Sequence, residues 1–192
     1  QVGLKTFSFN SNVFRNRMQQ MTKKIIELGI LRRKLHEVKT LHLFVLGDLV
    51  HGERVGKTIN LDELEGPAHW QIIDVFVPEF CNMLATLSRY YEKIQVDAVY
   101  GNHGASNGRD GAYGTNWDNF AMEISAVRMI KYENVDINYS PVDFYKLVNI
   151  QGYSFFLAHG DQIPFYNGLP FYGLTTRSLR WKSSILPDMK FA

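Results

Sequence analysis

Three short polar segments, each placed where a predicted β-strand ends, constrain this chain most strongly. They are residues 47–52 (Gly-Asp-Leu-Val-His-Gly), 101–104 (Gly-Asn-His-Gly) and 158–161 (Ala-His-Gly-Asp). The apolar runs before them are residues 41–46, 96–100 and 153–157. Carboxylate, carboxamide and imidazole side chains at the carboxyl ends of strands in an open sheet build metal or phosphate sites. We therefore expect a shared site at one edge of a sheet.

The length and composition predict one soluble domain spanning residues 1–192. The chain is long enough for one core, and its 45% hydrophobic and 21% charged residues are ordinary for a globular protein. A net charge of +2 neither favours nor excludes nucleic acid as a partner. The single cysteine, Cys81, leaves no internal disulfide, and no apolar run is long enough to span a membrane. We expect an intracellular protein, and the sequence does not indicate its oligomeric state.

Predicted helices and strands alternate, which indicates a layered α/β domain. Helical spacing of apolar residues predicts helices over residues 10–38, 67–91 and 116–132, the second of them kinked at Pro78. Strands are predicted at residues 41–46, 94–100, 135–139, 144–150 and 153–157, and another begins at residue 188. The run at 41–46 is apolar on both faces, as in a buried central strand. A hairpin turn is predicted at Gln151-Gly152, and residues 52–66 are predicted to be a loop.

Each polar segment also has an ordinary structural explanation. Gly47-Asp48 is a common turn pair, Asn102 tolerates left-handed backbone geometry, and a lone histidine such as His159 is commonly a hydrogen-bonded core residue. The order of the segments, their position after strands and their residue types all agree with one another. Together they favour a shared site over coincidence.

This combined pattern resembles the calcineurin-like metallophosphoesterases. The signature of that family contains, in order, Asp-x-His, Gly-Asp-x-x-(Asp, His or Asn)-Gly, Gly-Asn-His-(Asp or Glu), a single His after a strand, and Gly-His-x-His. The chain supplies the second, third and fourth elements between residues 47 and 161. The resemblance implies two mixed sheets packed face to face with helices outside, a layered α/β/β/α sandwich.

The same resemblance implies hydrolysis of phosphodiester bonds at a two-metal site, with a metal-bound hydroxide as the nucleophile. Asp48 would bridge two divalent cations, and Asn102 and His159 would bind the second cation. His103 would be a catalytic residue near the scissile phosphate, where it stabilises charge or protonates the leaving oxygen. Mn²⁺ is the expected metal, with Fe, Zn, Ni and Mg as alternatives.

The first and last elements of the signature are missing, which predicts an internal piece truncated at both ends. Gln1 stands where the histidine of the first element would be and is a candidate metal ligand. Residues 189–192 resemble the strand that leads into Gly-His-x-His. We expect this piece to bind one cation weakly and to hydrolyse phosphodiesters poorly. Gly104 replaces the usual acidic residue after Gly-Asn-His, a role that Asp110 or Asp161 could take.

DNA or RNA is the expected substrate, with smaller phosphodiesters and phosphoproteins as the alternatives, and three residues are candidates for binding it. His51 occupies the variable position of the second element, with a structural hydrogen bond as the alternative. Arg177 and Arg180 lie in a tail rich in aromatic residues, a mixture that suits stacked bases and phosphates. The alternative is that these rings belong to a core. Residues 47–52 resemble segments of repair exonuclease subunits and of the small subunit of archaeal D-family polymerases, and residues 160–165 resemble phage-encoded members.

Two other functions stay open at this point. A catalytically silent binding or scaffold module would keep the fold without a complete site. A zinc hydrolase could use His51, His103 and His159, although no histidine pair at helical spacing supports it. A Ser-His-Asp hydrolase finds little support, because the Gly-x-Ser-x-Gly stretch at residues 104–108 lies within a predicted loop that runs to Gly114 and not at a sharp strand-to-helix turn.

Overall fold

The protein is a mixed α/β structure, as the sequence predicts. A computed structural model describes residues 9–55, 58–59, 64–105 and 115–184. The helices are α1 (Ser11–Arg33), α2 (Ala68–Trp70), α3 (Val77–Leu87), α4 (Trp117–Met129) and α5 (Phe171–Ser184). The strands are β1 (Thr40–Val45), β2 (Arg54–Val55), β3 (Thr58–Ile59), β4 (Lys93–Ala98), β5 (Val135–Tyr139), β6 (Tyr145–Ile150) and β7 (Tyr153–Ala158). The chain divides into two compact units, Gln1–Ala158 and His159–Ala192.

A parallel sheet of order β1-β4-β5 organises the first unit. The central strand of this sheet is β4, whose Ile94 and Val96 are completely buried. The prediction that residues 41–46 form the buried central strand is therefore wrong for the sheet that the described residues form. β1 is only partly covered along its length. The sequence of β1 is apolar on both faces because each face of the strand packs against another layer of the structure.

Helices α1, α3 and α4 cover one face of the sheet. The core between them contains Leu84 and Leu87 of α3, both fully buried, and Met122 of α4. Helix α1 packs against α3, and α3 also packs against α4. Burial of these apolar side chains is the main source of stability for such a layer.

The antiparallel hairpin β6-β7 lies against the other face of the sheet. Successive strand residues point to opposite faces, so Phe44 and Asp97 face away from the helices. Phe44 contacts Phe155 of β7 with ring centroids 5.7 Å apart, and Asp97 pairs with Lys146 of β6 at 3.0 Å. The turn predicted at Gln151-Gly152 is confirmed, with φ of 52° and 86°. These values match a two-residue turn with both central residues at positive φ.

Most predicted helices and strands are confirmed with shifted ends. Helix α1 ends at Arg33 instead of residue 38, and Gly29 does not interrupt it. Helical structure continues from Ala68 to Leu87, but Gln71–Phe76 is π-helical. This segment lies just before Pro78, which lacks an N–H and crowds the carbonyl four residues earlier. The irregularity predicted at Pro78 is thus a π-helical segment.

Two further predictions differ from the structure or fall outside the part described. Residues 52–66 are not simply a loop, because β2 and β3 pair there as an antiparallel hairpin with Arg54 opposite Ile59. The strand predicted from residue 188 lies outside the described residues.

None of the described helices has the length and apolar character needed to cross a membrane. The second unit contains α5, a helix that the sequence analysis did not predict.

Candidate active site

The first two polar segments meet at the carboxyl edge of the parallel sheet. β1 and β4 are neighbours, and the ladder extends beyond them through a bond from the Val99 N–H to the Val45 carbonyl at 2.9 Å. The segments that follow the two strands therefore lie side by side. The loop that carries Asp48 and the loop that carries Asn102 and His103 are therefore adjacent.

Gly47 makes this close approach of the two loops feasible. Its φ is +86°, in the left-handed region that favours glycine. A Cβ at this position would lie 2.3 Å from the Gly101 nitrogen. The glycine before the aspartate is therefore required by backbone geometry and by the neighbouring loop.

Asp48 places its carboxylate between the two loops. Its φ of 55° is also left-handed, a conformation that aspartate adopts more readily than most residues. Its Oδ1 accepts a hydrogen bond from the backbone N–H of His103 at 2.9 Å. Oδ2 of Asp48 lies 3.9 Å from Nε2 of His103. The side chain is 31% exposed, so an incoming ligand can reach the carboxylate.

Asp118 of α4 holds the two loops together. The sequence does not single out this residue. Its Oδ2 accepts hydrogen bonds from the backbone N–H groups of Asp48 and Gly101, both at 2.8 Å. Its Oδ1 accepts a third bond from the N–H of Leu49 at 3.0 Å. The residue is only 1% exposed. Burial raises the pKa of its carboxyl group, and the three N–H bonds act in the opposite direction.

Asn116 completes this support as the N-cap of α4. Its Oδ1 accepts from the Asp118 N–H at 2.8 Å, and its Nδ2 donates to the Gly101 carbonyl at 2.7 Å. An Asn-Trp-Asp sequence at a predicted helix start is a capping signal. That signal predicts the cap but does not show which loop the cap residues contact.

Gly104 has no side chain, which leaves room for the side chains of Asn116 and Asp118. A Cβ at Gly104 would lie 2.4 Å from Oδ1 of Asn116 and 2.9 Å from Oδ1 of Asp118. The departure from the acidic residue of the family pattern thus has a steric reason here. Of the two suggested replacements, Asp110 lies outside the described residues, and Asp161 belongs to the second unit.

His103 and His51 form a hydrogen-bonded pair of imidazoles. Their Nδ1 atoms are 2.9 Å apart, and the rings meet edge-on with centroids at 4.7 Å. One Nδ1 must donate and the other accept, so a single proton lies between them. Gln71 holds the backbone of His51, since it accepts from the His51 N–H at 2.9 Å and donates to the carbonyl at 2.8 Å. The structural hydrogen bond considered for His51 is therefore present.

The remaining predicted residues are placed as follows. Asn102 is half-buried in the loop that carries His103. His159 directly follows β7, as predicted, and is the first residue of the second unit. Arg177 and Arg180 lie on α5 in that unit. Gln1 lies outside the described residues.

The donor atoms near Asp48 fit a hard divalent cation. Asp48 offers carboxylate oxygen and Asn102 offers a carboxamide oxygen, which are the ligand types that Mn²⁺ and Mg²⁺ prefer. Over the ranges that the structure describes, no group of three or more His, Cys, Asp or Glu side chains is gathered to hold a metal ion. Asn102 is not one of these four residue types, although its amide oxygen is also a possible metal ligand.

Comparison with known proteins gave no match. No family model, no curated protein and no solved structure matches the chain.

Proposed function

We propose that the protein is a metal-dependent phosphoesterase that hydrolyses phosphodiester bonds, with nucleic acid as its substrate. The observation that carries this proposal is the meeting of two loops at one sheet edge, where the His103 N–H donates to the Asp48 carboxylate. Strand carboxyl ends are the usual place for ligands in α/β sheets. The loops bring together a carboxylate and an imidazole pair, and the loop of His103 also carries the carboxamide of Asn102. These groups suit metal-assisted transfer of a phosphoryl group.

The roles of the residues follow from their chemistry. Asp48 and Asn102 would hold the divalent cations on the first unit. Bound cations supply positive charge that polarises the phosphoryl group and lowers the pKa of bound water. Within the chain, Asp118 and Asn116 orient the loops that carry Asp48 and His103.

His103 is proposed to protonate the leaving oxygen from Nε2. Its Nδ1 is engaged with His51 at 2.9 Å, whereas its Nε2 lies on the side of the Asp48 carboxylate. To donate a proton from Nε2 and end as a neutral imidazole, His103 must begin the step as an imidazolium, with a proton on each ring nitrogen. Its Nδ1–H then donates to Nδ1 of a neutral His51, so His51 orients the His103 ring. His51 would thereby act as a positioning residue.

The layered α/β/β/α sandwich is the proposed form of the fold. Three helices cover one face of the β1-β4-β5 sheet, and the β6-β7 hairpin covers the other. This order of layers is the one that such a sandwich requires. In it, the hairpin would belong to the second sheet.

Nucleic acid is favoured as the substrate by the second unit. Phe165, Tyr166, Phe171 and Tyr172 are 72–87% exposed, so these rings are available for stacking. Residues 162–184 contain Arg177, Arg180 and Lys182 and no acidic residue. Exposed rings interleaved with cations suit a single-stranded phosphate backbone with its bases.

The test is Mn²⁺-dependent hydrolysis of bis-para-nitrophenyl phosphate by the full-length gene product. Asp48→Asn keeps the size of the side chain and removes its charge, so activity should fall at least about a hundredfold. Asp136→Asn is the matched control, since Asp136 is exposed on β5. Undiminished hydrolysis by Asp48→Asn would contradict the bridging role. Absence of hydrolysis with any of the divalent metals would favour the silent binding module.

A further inference from the structure

A cleft of about 430 Å³ opens at the candidate active site within the first unit. Asp48, His51 and His103 line it. Its volume lies in the range of small-molecule sites, roughly 300–1,000 Å³, and exceeds what one phosphate needs. The cleft can therefore hold a larger part of the substrate next to the reacting group.

We propose that this cleft binds the nucleobase of the nucleotide whose phosphate lies at Asp48 and His103. The proposal rests on the proposed function and adds a base-binding subsite to it. Such a subsite would select for phosphodiesters that carry a base over those that carry a plain alkyl or sugar group.

Four aromatic rings, of Phe9, Phe14, Trp70 and Phe76, make up half of the apolar residues that line the cleft. Phe14 and Phe76 lie with ring centroids 6.3 Å apart, and Phe76 stacks on Phe80 at 5.2 Å. Phe76 is 6% exposed, and Phe14 and Trp70 are half-buried. Rings held in this way form a preorganised surface, and bases of any sequence can stack on aromatic side chains.

The charges of the lining argue against a second phosphate as the occupant. The described residues that line the cleft include no lysine or arginine, whereas Glu65 adds a carboxylate. The Ser11 backbone N–H and hydroxyl donate to Glu65 at 2.6 and 2.7 Å and lower its pKa, which keeps the carboxylate ionised. An ionised carboxylate repels phosphate and accepts N–H groups. The occupant should therefore carry no negative charge at this position and should offer N–H donors. A nucleobase is a neutral aromatic ring with N–H donors and meets both conditions.

The test is direct binding measured by titration calorimetry with the full-length protein. The probes are the four ribonucleoside 5′-monophosphates, with ribose 5-phosphate as the probe that lacks a base. At least one nucleotide should bind about tenfold more tightly than ribose 5-phosphate, as expected for one stacked base. Equal affinities for all five probes would overturn the proposal.

Variants separate stacking from general packing. Phe14→Leu keeps an apolar side chain and removes the ring, so nucleotide affinity should fall about five- to tenfold while ribose 5-phosphate binding stays the same. Trp70→Leu should act in the same direction and serves if Phe14→Leu lowers the melting temperature. Phe120→Leu is the control, because Phe120 is an exposed ring on α4 that does not line the cleft. Unchanged nucleotide affinity in both cleft variants would overturn the proposal.

Binding and hydrolysis are measured separately, so the two proposals can fail separately. Base-dependent binding without any Mn²⁺-dependent hydrolysis would contradict the proposed function and support the subsite. Hydrolysis of bis-para-nitrophenyl phosphate with no preference for nucleotides in binding would contradict the subsite alone.

Discussion

The Oδ2 atom of Asp118 accepts the backbone N–H of Asp48 at 2.8 Å and the N–H of Gly101 at the same distance. One buried side chain on α4 therefore fixes the relative position of two loops that are separated by about fifty residues in sequence. The candidate active site depends on this junction, since the loops carry Asp48 on one side and His103 on the other.

Replacing Asp118 by Asn should loosen the junction. An amide has one acceptor oxygen and brings N–H donors, so a backbone N–H next to its nitrogen loses its partner. We expect a loss of about 2 kcal/mol in the free energy of unfolding, measured by urea denaturation, together with lower hydrolytic activity. Asp136→Asn should change neither quantity. Wild-type stability in Asp118→Asn would show that the three N–H bonds contribute little.

Restoring the acidic residue of the family pattern at position 104 should damage the protein. The side chain of Gly104→Asp would collide with Oδ1 of Asn116 and bring a second carboxylate to Asp118. We expect a destabilisation of about 2 kcal/mol or more from crowding and charge repulsion. Asn12→Asp is the control for the added charge, because Asn12 is exposed on α1. If Gly104→Asp proved more stable or more active, the steric explanation for this glycine would be wrong.

The ion pair between Lys146 and Asp97 should couple the hairpin to the sheet. The Asp97 side chain is 2% exposed, and its Oδ1 lies 3.0 Å from Nζ of Lys146. Lys146→Met leaves a buried charge without its cation, which should cost about 3 kcal/mol of unfolding free energy. The double variant with Asp97→Asn should lose less than the sum of the single changes, in a double-mutant cycle measured by denaturation. Additive losses would mean that the two groups are not coupled.

Glu65→Gln should reduce stability at neutral pH and not in acid. Hydrogen bonds from Ser11 lower the pKa of Glu65 below its ordinary value of 4.5. A carboxyl whose folded pKa is lowered stabilises the protein above its unfolded pKa, and this contribution is lost as the pH falls through the folded pKa. The difference between wild type and Glu65→Gln in thermal unfolding should therefore be present at pH 7 and shrink below pH 4.5. A difference that does not depend on pH would contradict the lowered pKa.

His51→Leu should lower kcat more than it changes KM. The substitution removes the Nδ1 partner of His103 and with it the acceptor that orients the His103 ring toward the leaving oxygen. We expect about a tenfold loss of kcat in the phosphodiester assay. His69→Leu is the matched control, since His69 is exposed on α2. Unchanged kcat in His51→Leu would assign His51 a purely structural role.

The local pattern of the sequence determined most of the helices and strands, although not α5 or the β2-β3 hairpin, and the places where polar loops begin. The hairpin at Gln151-Gly152 and the polar segments that begin at Gly47 and Gly101 follow from strand periodicity and turn chemistry, which act between near neighbours in the chain. Only the tertiary structure decided that β4 is central, that Asp118 joins the two loops and that His51 pairs with His103. These contacts join residues that lie between 17 and 70 positions apart, and a local pattern does not encode such partners. Gly104 shows the difference most clearly, because the side chains that exclude a Cβ there arrive from α4 only when the chain is folded.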